Sequence, residues 1–135
     1  MVLIEWIPAY SVKIKKFDEQ HEKLVDLINQ LHAAMKSGQG VTVIGIIIQS
    51  LVQYTCTHFA DEIRLLQENG YPETVLQKTE HEKFVKELVS FQQQYHDGSV
   101  MLTMNVLMFL KDWLINHIQG EDKKYSPFLN DKGIF

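Results

Sequence analysis

His58-Phe-Ala-Asp-Glu62, followed by Gln77-Lys-Thr-Glu-His81, decides how this chain folds. In each segment two side chains able to bind a metal stand four positions apart. On an α-helix, residues i and i+4 lie on one face. Two helices therefore aim four polar groups into one space. His21 toward the start, and His117 with Asp122 toward the end, complete the set.

The apolar pattern around these segments has a helical period. Phe17, His21, Leu24, Ile28, Leu31 and Met35 follow 4-3-4-3 spacing, the seam of a packed helix. Asp18 stands near its start, where an acid caps the helix or complements its dipole. Ser37-Gly-Gln-Gly40 ends it. A second helix is predicted from about Thr42 to Asn69, with a seam of Ile44, Ile47 or Ile48, Leu51, Thr55, His58, Glu62, Leu65 and Asn69. The β-branched run near Ile46 suggests a strand in isolation, but the helical period that follows outweighs it. Asn69-Gly70 is a stop and Tyr71-Pro72 a turn. A third helix starts near Glu73 and presents Gln77, His81, Phe84, Leu88, Phe91 and Tyr95. A fourth carries Val100, Thr103, Leu107, Leu110, Leu114 and His117. Residues 1–16, with Trp6, Pro8 and Tyr10, read as an extended N-terminal arm. The tail, with Tyr125, Pro127 and Phe128, reads as a short turn across the bundle. Short links between amphipathic helices predict an all-α, up-down-up-down four-helix bundle, one domain over residues 1–135.

Composition narrows the function classes. A length of 135 residues buries a core without disulfides. A net charge of −4 offers no electrostatic attraction to nucleic acid or an anionic membrane. Cys56 is the single cysteine, which excludes an internal disulfide and suits a reducing compartment. Met-Val-Leu-Ile-Glu-Trp lacks the basic start and long apolar run of a signal peptide. The apolar run Val43 to Ile48 is too short to span a membrane. The expectation is a cytoplasmic monomer with no membrane insertion.

His21, His58, Glu62, Gln77, His81 and His117 all fall on seam positions that face the bundle interior. Burying Glu62 and Asp122 as bare carboxylates costs several kcal/mol or forces them neutral. No Lys or Arg occupies a seam position to pair with them. Cations from outside resolve the conflict. Neutral imidazoles with carboxylates and no thiolate suit iron, manganese or zinc. Two acids among several histidines also suit two ions, each acid bridging the pair. His117 and Asp122 are five apart, so an ideal helix points them about 140° from each other. Gly120 between them offers a place for the helix to loosen or end.

The ordered series resembles the hemerythrin family, and within it the single-domain bacteriohemerythrins. The resemblance is carried by Trp6 and Tyr10-Ser-Val in the arm, Phe17-Asp-Glu-Gln-His21, His58-Phe-Ala-Asp-Glu62 and Gly70-Tyr-Pro72. It continues through His81-Glu-Lys-Phe84, Trp113-Leu-Ile-Asn-His117-Ile and Asp122-Lys-Lys-Tyr125. It implies two non-haem iron ions with an oxo or hydroxo bridge, and reversible binding of O2 at one of them. It further implies that His21 and His58 bind the iron that takes O2, His81 and His117 the other, and that Glu62 and Asp122 bridge the two. Leu114 matches a family position that shields O2.

Gln77 departs from the pattern, since the family expects histidine there. Its amide oxygen can ligate iron more weakly than imidazole, or withdraw and leave water or an open position. The leading expectation is an oxygen carrier, store or delivery partner for an oxygen-using enzyme. One alternative is a di-iron peroxidase, nitric oxide reductase or oxidase exploiting the position at Gln77. Another is an iron-sequestering or sensing module.

Overall fold

The computed structural model describes residues 2–135. Four long helices form the bundle: α1 (Lys15–Lys36), α2 (Val41–Glu68), α3 (Thr74–His96) and α4 (Met104–His117). A fifth, α5 (Lys123–Asp131), follows a π-helical turn at Ile118–Asp122. α1 packs against α2 and α4, and α2 packs against α3. No strand occurs among the described residues.

The seams are where the period puts them except at the end of α2, where Leu66 rather than Leu65 is buried and Asn69 is half-buried. Phe17, His21, Leu24, Ile28 and Leu31 of α1 are buried, as are Ile44, Ile48, Leu51, Thr55, His58 and Glu62 of α2. The β-branched stretch around Ile46 is helical because its apolar face packs inward, which outweighs a modest propensity cost. α2 is also long and apolar enough to cross a membrane by length and composition. Its buried face carries His58 and Glu62 into the bundle interior, the pattern of a core helix. After Asn69, Gly70 turns the chain at φ +69°, a backbone region that favours glycine.

Four further expectations need correction. α4 begins at Met104, so Val100 and Thr103 precede it. Thr103 is instead the N-cap, its hydroxyl accepting from the Val106 N–H at 3.3 Å. The arm is not wholly extended, since Pro8–Tyr10 form a 3-10 turn. Asp18 does not cap α1, but it lies in the first turn, where its charge complements the helix dipole as the other half of the expectation had it. Its carboxylate accepts from the Ser11 hydroxyl, and from the Val12 N–H at 2.8 Å, so it ties the arm down. The tail is a nine-residue helix rather than a turn, with Pro127 inside it.

Arm and tail hold each other. The Ser126 hydroxyl donates to the Val12 carbonyl, and the Asn130 amide donates to the Lys13 carbonyl at 3.1 Å. Asn29 of α1 pins the arm further out, exchanging hydrogen bonds with the Ile4 backbone at 2.9 and 2.8 Å. These ties fix the direction in which α5, and Asp122 just before it, enters the bundle.

Candidate metal centre

Every predicted site residue is buried: His21 from α1, His58 and Glu62 from α2, Gln77 and His81 from α3, His117 from α4, and Asp122 from the π turn. The π turn solves the five-residue spacing. Its i→i+5 period returns Asp122 to the face that carries His117. Gly120 is not what permits this. Its φ is outside the left-handed range and a Cβ there would meet nothing within 4 Å.

The two acids divide their oxygens between two groups of imidazoles. Glu62 Oε2 lies 3.4 Å from His58 Nε2 and 3.8 Å from His21 Nε2. Glu62 Oε1 lies 3.0 Å from His81 Nε2. Asp122 Oδ2 lies 3.2 Å from His21 Nε2, and Oδ1 lies 3.1 Å from His117 Nε2. His81 Nε2 and His117 Nε2 converge to 3.1 Å. Two donor clusters result, His21-His58-Glu62 and Glu62-His81-His117-Asp122, each with its ligand atoms within 4.8 Å of one another.

The donors fit divalent metal. Both ring nitrogens of His21, Glu62 Oε1 and His81 Nδ1 are buried without a well-aligned hydrogen bond among the described residues, although Glu62 Oε1 lies 3.0 Å from His81 Nε2 and His21 Nε2 lies 3.2 Å from Asp122 Oδ2. Buried polar atoms are rarely left so, and here Glu62 Oε1 and His21 Nε2 point into the cluster. Burial opposes charge on Glu62, but His58 and His81 outweigh it and hold its carboxyl well below the ordinary range. Burial and the Glu62 charge push Asp122 up, yet His117 and His21 pull it down by more. Both acids are therefore anionic at neutral pH, the form a metal needs. Burial resists a proton on His117, but Asp122, Glu62 and Glu80 push its pKa up to about 9. The acids thus demand positive charge in this space.

Three residues support the site in roles that the sequence does not assign them. Gln20 Oε1 faces His58 Nδ1, and Glu80 Oε2 lies 3.0 Å from His117 Nδ1. Such partners fix the orientation of ligand imidazoles. Neither carries a sequence signal, because each reaches a histidine on another helix. Tyr125 had one: it stands three residues after Asp122 and so shares its face. Its hydroxyl donates to Glu62 Oε2 at 2.7 Å. Burial, with Glu62 and Asp122, keeps its pKa well above the ordinary value, so it remains a donor. Tyr125→Phe should lower stability by about 2 kcal/mol, the usual worth of a hydrogen bond to a charged group. Urea denaturation checks this.

The remaining wall is apolar. Phe59 stacks on His81 with ring centroids 3.7 Å apart, and Trp113 on His117 at 4.5 Å. Leu114, one turn before His117, is buried. With Leu24, Ile28, Leu51 and Phe59 it lines a cavity of about 10 Å³, roughly the room one water-sized molecule needs. Cys56 is exposed and lies away from the cluster.

A profile of the Hemerythrin HHE cation binding domain matches residues 12–129. Bacteriohemerythrin of Stenotrophomonas maltophilia is 34% identical over 126 residues, covering 93% of this chain and 81% of the relative. Bacteriohemerythrin of Methylococcus capsulatus is 32% identical over 131 residues, covering 96% and 99%. A crystal structure of wild-type hemerythrin, 32% identical, superposes with a TM-score of 0.88 over 93% of this chain and 96% of that one. Agreement of this extent, over a bundle whose buried acids and imidazoles already call for two cations, means that the chain belongs to the hemerythrin family of di-iron oxygen-binding proteins.

Proposed function

We propose that this single domain binds O2 reversibly, as a carrier, store or delivery partner for an oxygen-using enzyme. His21 and His58 would hold the iron that takes O2, His81 and His117 the other, with Glu62 and Asp122 across both. One observation carries the assignment: each acid turns one oxygen toward each group of imidazoles. When bound, the iron pair supplies the electrons that O2 accepts on uptake and returns on release. The chain supplies the rest. Gln20 and Glu80 orient His58 and His117. Tyr125 steadies Glu62. Leu114 and its neighbours keep water from the cavity beside the site. The proposed setting is the cytoplasm and the proposed state a monomer, with the Cys56 thiol reduced.

The optical spectrum tests this. Anaerobically reduced, iron-loaded protein should gain a visible charge-transfer band in air and lose it on deoxygenation. Irreversible bleaching would reject reversible carriage. Leu114→Ala should shorten the number of oxygenation cycles the protein survives, because it opens the cavity to water. It should also cost about 3 kcal/mol of stability.

Gln77 favours a second reading, turnover of peroxide or nitric oxide, because its amide nitrogen rather than a ligating atom faces Asp122. Turnover abolished in Glu62→Ala would support it.

A further inference from the structure

Gln77 is 1% exposed and stands among the donors. The two ends of its amide are in different situations. Nε2 donates to Asp122 Oδ1 at 3.0 Å. That oxygen is the one 3.1 Å from His117 Nε2. Oε1 is buried and has no hydrogen-bond partner among the described residues. The ends are not interchangeable. An ionised carboxylate only accepts, so the NH2 end must face it. An NH2 group has no lone pair to offer a metal. Turning Oε1 inward to ligate would remove the donor from Asp122 and set oxygen against an anionic oxygen.

The donor count then becomes even. One side has His21 and His58, the other His81 and His117, and each side takes one oxygen from each acid. Resting on the two-iron reading above, we infer that Gln77 is a positioning residue for Asp122 and not a ligand. The metal at His81 and His117 therefore keeps a coordination position for a small exogenous donor. Oε1, buried and unpartnered in the same interior, is a hydrogen-bond acceptor. That selects a proton-bearing ligand, water or hydrogen peroxide, over a bare anion. The protein has two small-molecule positions, one on each metal, instead of one.

Cobalt(II)-loaded protein under inert gas provides the test, with cobalt per chain counted and azide titrated by calorimetry. Wild type and Gln77→Leu should each take two azides per cobalt pair. Gln77→His, which restores a nitrogen donor, should take one. The second azide should bind more tightly to Gln77→Leu, where no acceptor oxygen opposes an anion. One azide in wild type with two in Gln77→Leu would overturn the inference, because Gln77 would then occupy the position itself. The metal-free proteins give a second readout. Gln77→Leu should melt about 5 °C below wild type, since Asp122 loses its donor. An unchanged melting temperature would overturn the positioning role. Fewer than two cobalt ions in wild type would instead overturn the two-metal reading, whatever azide does.

Discussion

Glu62→Ala should reduce iron from two per chain to less than one. Glu62 is one of the two acids that both groups of imidazoles share, with Oε1 3.0 Å from His81 and Oε2 3.4 Å from His58. Its removal takes a carboxylate oxygen from both groups of imidazoles at once, and the surviving imidazoles and Asp122 do not replace the negative charge. Metal analysis of purified protein reads the loss directly. Thermal melting provides the control. A metal at a thousandfold excess over its Kd stabilises the folded state by about 4 kcal/mol. Chelation of the wild type should therefore lower Tm by roughly 10 °C or more for a domain of this size. In Glu62→Ala the chelator should lower Tm far less. A variant that kept two irons would mean that the cluster is held by other groups.

Insertion of one alanine after Gly120 should remove iron and unfold the tail, whereas deletion of Gly120 should do neither. The π turn at Ile118–Asp122 already contains one residue more than an α-helical turn. Deleting it lets the backbone relax to the α period, which keeps Asp122 on the His117 face. A further insertion has no such outlet. Everything from Asp122 onward rotates by about 100°. Asp122, Tyr125 and Leu129, all 1% exposed or less, would leave the interior together. The cost combines a large apolar side chain with the paired Tyr125 and Glu62, and should exceed about 3 kcal/mol. Iron content and the urea midpoint should fall in the insertion variant and stay at the wild-type level in the deletion variant.

What could be read from the residues alone follows from which forces have a period. The bundle, its seams and the burial of His21, His58, Glu62, His81 and His117 were legible because burial repeats every three to four residues, whereas Asp122 lies off that period and was singled out by its resemblance to a family position. The start of α4 was not. Val100 and Thr103 continue the apolar period, but the Thr103 hydroxyl bonds the Val106 N–H and makes a cap, a choice that competes locally with helix. α5 was hidden by Pro127. Proline removes one backbone hydrogen bond, and burial of Tyr125, Ser126 and Leu129 offsets that loss. The need for Asp122 to come round was legible from the five-residue spacing. The means was misplaced, since an alanine would fit at position 120 as well as glycine does. Gln20 and Glu80 were illegible because their partners are on other helices, and such pairings have no pattern along a chain.

The stack of Trp113 on His117 gives the protein an optical gauge of its own. The indole lies 4.5 Å from that ring at an interplanar angle of 10°, and Phe84 covers its other neighbourhood at 3.9 Å. A paramagnetic ion held by His117 would quench emission from this indole at short range. Trp6 is paired edge-on with Tyr10 in the arm and serves as the steady reference. Fluorescence during loading would then follow the His81 and His117 half alone, and so tell the order in which the two halves fill.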